Sequence, residues 1–376
     1  MSISCHICGS YSLKLAPKSR AFARVTSDCK PWPGGGSLAT CRACGTAQAL
    51  ITPEWREEAE QIYKNYTVYH QGGGAEQSVF SASGQSDTRS NRLVARLTEA
   101  LGIPKTGHLL DIGCGNGSFL KTFGASFPGW KLSGAEFDDK HLCELQSIPG
   151  FQSLHTEMPN EIQEEFDVIS LVHTLEHIVG PVAFLKDVRR LLATGGALFI
   201  QVPHYRDNPF ELMTVDHASH FDKTSLSRLL TQAGFNPLLV STDWIGREIS
   251  AVAKEGIWEN ESQERRQANG RSLLANSFDW LEGLLEKAKD VQSASASFGL
   301  FGSSIAATWT AANLPRLPDF FVDEDPARVG RTHMGLKIVS PSDVRSDADV
   351  FLALQTGLAS MVLERHTGKS PGRWSF

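Results

Sequence analysis

Three groups of residues have types and spacings that could do chemistry. Cys5 and Cys8 form one Cys-x-x-Cys pair and Cys41 and Cys44 a second, each followed at once by a glycine, Gly9 and Gly45. A glycine there lets the turn aim backbone N–H groups at thiolates, and four thiolates satisfy a zinc ion completely, so the site expected is closed and structural. A redox-active pair is the competing use of such a motif. The second group is Asp111 with Gly113, Gly115 and Gly117, where an apolar run ends in an acid and then in three glycines at alternate positions. Glycines at that spacing let the backbone turn sharply and approach a ligand that a Cβ would repel. The third is a set of histidines and acids: His173 and His177 after one apolar run, His204 after the next, then Asp216, His217 and His220. A histidine beside an acid is a candidate proton carrier.

These residues need elements to hold them. Leu109, Leu110 and Ile112 read as a buried strand, and Ser118 and Phe119 open a helix whose free N–H groups face the turn. Glu136 ends the next apolar segment, where a ribose-binding carboxylate is expected about 20 residues on. Phe166 to Val172 is a strand, a helix follows from Pro181, and a Gly195-Gly196 turn leads to the strand before His204. Strand and helix in regular succession predict an α/β fold with a mostly parallel, doubly wound sheet. Ligands of such sheets bind at the carboxyl ends of the strands, where Asp111, Glu136, His173, His177 and His204 all fall.

A nicotinamide or flavin site requires Gly-x-Gly-x-x-Gly. Here the third glycine falls one place early and an acid sits two residues before the first. That spacing resembles motif I of the class I S-adenosylmethionine-dependent methyltransferases. The resemblance implies a donor site of Asp111, Gly113, Gly115, Gly117 and Glu136, with His173 beside it.

The order of parts resembles the sugar C-methyltransferases: a four-cysteine module, a methyltransferase core and a carboxyl-terminal Rossmann-like domain. The motifs that carry this are the paired Cys-x-x-Cys, LDIGCGNGSF, HTLEHI, DHASHF and DEDPARVGRTHMGLKI. The family implication is methylation of carbon next to the ketone of a nucleotide-linked 4-keto-deoxysugar. In that scheme His217 is the base, held by Asp216, with Tyr69 or His177 donating to the enolate oxygen. Tyr66, His70, His204 and His220 are expected around the acceptor. From its residues alone, a second glycine-bearing segment reads as a nucleotide site, with Gly299 and Gly302 under a phosphate and Asp323 or Asp325 near a ribose, or else as a cofactor-free α/β domain that only packs on the first. The family's His-Glu-His run is Val215-Asp216-His217 here, and its lysine-glycine pair after the last glycine turn is missing, with Ser304 and Ile305 in that region. O- or N-methylation of a sugar or other small molecule is the rival expectation, followed by a non-catalytic donor-binding protein.

Length and composition set the frame. The 376 residues allow two or three domains, and with 41% hydrophobic and 21% charged residues the chain is globular rather than disordered. A net charge of −6 gives no footprint for nucleic acid. No apolar run is long enough to span a membrane and the first residues lack a signal-peptide core, so a cytoplasmic protein, monomer or dimer, is expected. The odd cysteines, Cys29, Cys114 and Cys143, are expected to be bystander thiols. The expected division is a zinc module over 1–52, a linker or lid over 53–84, the methyltransferase core over 85–250, a helical connector over 251–293 with Leu273, Leu274, Phe278, Leu281 and Leu285 on its apolar face, and a Rossmann-like domain over 294–376.

Overall fold

A computed structural model describes residues 3–80, 86–256 and 270–376, except for the side chains of 270–273. The end of the expected lid with the first residue of the expected core, 81–85, the charged run 257–269 and the Leu273 side chain therefore lie outside the described residues.

The central sheet has seven strands. In chain order they are Gly107–Ile112, Trp130–Ala135, Phe151–His155, Phe166–Val172, Leu192–Pro203, Phe235–Ser241 and Glu248–Glu255. Across the sheet the order is third, second, first, fourth, fifth, seventh, sixth, parallel through the first five, with the seventh antiparallel to both its neighbours. It is a mixed α/β sheet, mostly parallel as the succession of strands and helices predicts. Successive residues of the first strand face opposite sides. Leu110 and Ile112 join one core with Ile169, Leu171, Leu198 and Leu229, and Leu109 joins another with Leu93, Leu97, Phe119, Phe123 and Phe199. Each such buried side chain contributes about 1.5–3 kcal/mol relative to exposure. Helix ends are fixed locally: the Thr88 hydroxyl accepts from Asn91 N at the start of Arg89–Leu101, and Asp222 with Ser225 forms a capping box at the start of Lys223–Gln232.

Two expectations are corrected. The connector does not begin at Ala251, because the seventh strand runs on to Glu255. Ala251 and Ala253 pack on one face and Val252 on the other, so tertiary burial overrides the helical preference of alanine. In the carboxyl-terminal domain the run ADVFLAL reads in the sequence as a short final strand. It forms strand Asp349–Phe351, but helix Thr356–His366 and strand Arg373–Ser375 follow it, and the latter closes the edge of a second, six-stranded sheet.

The amino-terminal module has a four-stranded sheet whose order is Leu13–Leu15, Leu38–Cys41, Ala47–Ala49 and then Ser219–His220. Its last strand thus comes from the methyltransferase core, with Ser219 opposite Gln48 and His220 opposite Ala47. A single hydrophobic cluster joins all three parts of the chain: Phe22 and Trp55, Phe210, and Phe278, Trp309 and Phe321.

Candidate functional site

The glycine turn adopts the backbone its spacing requires, with φ of 76° at Gly113, 51° at Gly115 and 80° at Gly117. A Cβ on Gly113 would stand 2.1 Å from the Thr174 hydroxyl oxygen, and one on Gly117 would stand 2.7 Å from Ile148 and Leu145. The helix Ser118–Ser126 starts directly after the turn. Asp111 is buried and accepts from the Ser170 hydroxyl at 2.7 Å. Burial pushes its carboxyl up to about 7, the Ser170 bond opposing and nearby Glu136 adding to the rise. Glu136 accepts from Gly115 N at 3.0 Å and from Phe137 N at 2.9 Å. A sharply turned backbone, a helix N-terminus and carboxylates at two adjacent strand ends suit a cationic, hydroxyl-bearing donor such as S-adenosylmethionine.

Over this turn lies the segment Thr67–Phe80. Val68 is the nearest neighbour of a Cβ built on Gly115, at 3.4 Å, and the Gly74 carbonyl accepts from Asn116 Nδ2 at 2.9 Å. Tyr69 has φ of 50° and lies by Glu76, Arg89, Asp111 and Ser118. It therefore stands beside the glycine turn, and not in the histidine cluster where the sequence expectation put it. On its other face the segment meets the carboxyl-terminal sheet: Ser78 N donates to Asp325 at 3.1 Å, His70 lies near His333, and Arg331 closes on Gly73.

The histidine cluster is brought together as its placement at strand ends predicts, but the groups that hold it differ from expectation. His217 is buried and its Nδ1 lies 2.6 Å from Glu211 Oε1, which also lies 3.2 Å from His220 Nδ1. Asp216, the expected partner, is turned the other way, accepting from Ser27 N at 2.9 Å and from the Ser27 hydroxyl. A residue next in sequence to a loop histidine points away from it, whereas the turn Pro209–Met213 folds Glu211 back beneath the ring. Burial alone would lower His217, but Glu211 outweighs it and raises the imidazole to about 9. Glu211 is correspondingly held down at about 2 against its own burial.

His177 stands with its ring centroid 4.6 Å from that of His217. Its Nδ1 lies 3.0 Å from the Asp216 carbonyl and 3.2 Å from the Tyr63 hydroxyl. Burial and the charge on His217 lower its affinity for a proton, with Asp216 and Glu176 opposing. Glu176 is fully buried between these rings and His173. His173 has φ of 55° and stands 3.3 Å from Glu176 and 3.2 Å from Glu248. Against burial, those acids raise it to about 9. Arg89 pairs with the same Glu248 at 2.9 Å.

Of the other expected acceptor residues, Tyr66 lies by Ser27 and Asp216, and His204 is buried with Nδ1 2.7 Å from Asp207. In the carboxyl-terminal part, Gly299 lies inside a strand, where a Cβ would meet the Phe320 ring at 2.4 Å, so its role is packing. Gly302 is open, with φ of 86°. Asp323 accepts from the Ser303 hydroxyl at 2.7 Å and from Asp325 N at 3.0 Å. Sequence reasoning missed Tyr63, Arg89, Glu211 and Glu248. Only Glu211, six residues before His217, left a local trace.

The four cysteines converge, with Sγ atoms all within 4.8 Å and the pairs Cys5–Cys44 and Cys8–Cys41 at 3.5 Å. Gly9 N donates to Cys5 O and Gly45 N to Cys41 O, closing two matching knuckles. Sulfurs 2.3 Å from a tetrahedral ion would be about 3.8 Å apart, so the donor set fits zinc. The module adjoins the histidine segment: His6, between two of the cysteines, has Nδ1 3.0 Å from the Ser219 hydroxyl, two residues after His217.

With this geometry in place, comparison with known families is decisive for one part of the chain. Residues 86–240 match the model of a methyltransferase domain. This segment is a methyltransferase domain. Among curated relatives, a ubiquinone biosynthesis O-methyltransferase of Pseudomonas aeruginosa is 31% identical over 98 residues, 24% of this chain and 42% of the relative. A tRNA U34 carboxymethyltransferase of Desulfotalea psychrophila is 27% identical over 158 residues, 40% of this chain and 48% of the relative. The chain thus spans less than half the length of either. Among solved structures, an S-adenosylmethionine-dependent methyltransferase from Clostridium acetobutylicum aligns at a TM-score of 0.38 with 11% identity, over 54% of this chain and 98% of that one. The methyltransferase domain contains every expected donor residue and the whole histidine cluster, whereas the cysteines and the second sheet lie outside it. No helix among the described residues is long and apolar enough to cross a membrane.

Proposed function

We propose that the protein transfers a methyl group from S-adenosylmethionine to carbon beside the ketone of a nucleotide-linked 4-keto-deoxysugar. The observation that supports this best is a pair of touching histidines with opposite proton affinities, His177 and His217, at the carboxyl edge of the sheet. Asp111, Glu136 and the glycine turn hold the donor, and bound donor supplies an electrophilic methyl group on a sulfonium. The acceptor lies over the histidines.

The roles of the two rings follow from their partners. His177 donates Nδ1–H to the Asp216 carbonyl, which leaves the Nε2 lone pair free to take a proton. His217, kept protonated by Glu211, donates a hydrogen bond to the ketone oxygen as charge develops on it. His177 is therefore the base and His217 the oxyanion donor, the reverse of the order that family resemblance implies. The proton leaves the acceptor carbon for His177, and the freed electron pair makes that carbon the nucleophile. Zinc in the four-cysteine site is structural, with no open position for substrate.

O-methylation, the activity in the name of the first relative above, could use the same base. There the oxygen that gains charge is itself the nucleophile, and a hydrogen bond from the His217 cation would hold back its attack, which favours the ketone. The test is transfer of labelled methyl to nucleotide-linked sugars with and without a 4-keto group. Product from keto sugars alone is expected, with His217→Gln retaining S-adenosylhomocysteine binding but losing roughly 10²-fold in rate. Product from non-keto sugars alone would replace this proposal with hydroxyl chemistry, and no product from any sugar would reject it.

A further inference from the structure

We propose that Arg247 is an anion-binding residue of the acceptor site and holds a phosphate of the substrate. The inference rests on the acceptor reading above, but it stands on a separate observation. Among the described arginines, every one that is not exposed has a hydrogen-bond or ion-pair partner except Arg247. Its guanidinium, half-buried with five N–H donors, faces none. Nearby Glu248 is already occupied: Oε1 takes Arg89 at 2.9 Å, and Oε2 takes Gln201 at 2.6 Å with His173 at 3.2 Å. Glu248 attracts Arg247 through space without a hydrogen bond to it, and Arg89 adds a like charge beside it.

The backbone fixes where this cation sits. Arg247 has φ of 70°, a left-handed conformation uncommon for a long side chain, and its carbonyl accepts from His204 N at 2.9 Å. It is thereby pinned where the seventh strand begins, beside the end of the fifth, at the same carboxyl edge as His173 and His204. The donor turn follows the first strand, three positions away across the sheet, or roughly 14 Å at normal strand spacing. The anion it awaits therefore belongs to the acceptor and not to the donor's carboxylate. A half-buried guanidinium with no hydrogen-bond partner keeps its planar fork of donors free, which suits a bidentate phosphate.

The measurement is calorimetric titration of the full chain with inorganic pyrophosphate, in the presence of saturating S-adenosylhomocysteine, for the unsubstituted protein, Arg247→Asn and Arg247→Lys. Asparagine tolerates the left-handed backbone, so the variant keeps its fold. Arg247→Asn should weaken pyrophosphate binding about tenfold or more, with lysine between, while S-adenosylhomocysteine affinity stays unchanged. Unchanged pyrophosphate affinity in the asparagine variant would overturn the assignment, as would no binding by the unsubstituted chain. A loss of S-adenosylhomocysteine affinity instead would give Arg247 to the donor's carboxylate. None of these outcomes depends on methyl transfer, so a failure of the proposed reaction is seen separately.

Discussion

A carboxylate 2.6 Å from its ring makes His217 a cation at neutral pH, and the two groups are linked in stability as well as in chemistry. His217 titrates higher in the folded protein, at about 9 against 6.5, so its contribution is complete below pH 6.5 and fades as pH rises through 9. Glu211 titrates lower, at about 2 against 4.5, so its contribution is complete above pH 4.5 and fades as pH falls through 2. Thermal stability should therefore hold best between pH 4.5 and 6.5 as far as this pair decides it, and decline on the alkaline side. Glu211→Ala leaves a buried histidine without its acid and should cost about 3–5 kcal/mol in denaturant unfolding. The gentler Glu211→Gln should move the alkaline limb of the rate profile down from about 9, while the acid limb, set by His177, stays put. An unmoved alkaline limb would remove Glu211 from the mechanism. The turn of Gly113, Gly115 and Gly117 between Asp111 and the following helix was legible in the sequence because its geometry is local. Glu211 was not, because only the fold of Pro209–Met213 turns it under the ring.

Strand Ser219–His220 belongs to two units at once. Besides its pairing with Ala47–Ala49, the loop before it is gripped from the amino-terminal side: Trp55 Nε1 donates to Val215 O at 2.8 Å, Val215 N to Val25 O at 2.8 Å, and Ser27 takes the Asp216 carboxylate. The loop that carries His217 is therefore shaped by the module that carries the cysteines. Joint replacement of Cys41 and Cys44 by serine should abolish zinc binding, measured by elemental analysis. It should also shift the His217 ring resonances while leaving S-adenosylhomocysteine affinity intact, since the glycine turn lies on the central sheet and not on that of the cysteine module. Unchanged His217 resonances in a zinc-free variant would show that the strand pairing does not need the metal. Strong helix and strand periodicity made most elements of the core readable, including Arg89–Leu101 and Phe166–Val172. This strand was invisible because it is two residues long and gets its partner from 171 positions upstream.

At the scale of the whole molecule the three parts share one apolar interior. Trp309 of the carboxyl-terminal part lies 5.4 Å from Phe22 of the cysteine module and 5.5 Å from Phe210 of the methyltransferase part, ring centroid to centroid. Trp309→Ala should destabilise by about 3–5 kcal/mol and lower a single melting transition seen by calorimetry. Two separate transitions, only one of them shifted, would show that the parts unfold independently. The sequence divided the chain into a row of parts, and composition could not reveal that the boundaries are packed: Ala251–Glu255 is central strand, and Asn313 reaches back to exchange hydrogen bonds with Ala23 at 2.8 and 3.2 Å. The borrowed strand has a consequence for inheritance. A protein whose first fifty residues support the loop that carries its own His217 cannot acquire or trade them as a cassette. A chimera given a foreign amino terminus would work only if the donor's counterpart of residues 214–220 travelled with it, so these two distant stretches of the gene must change together.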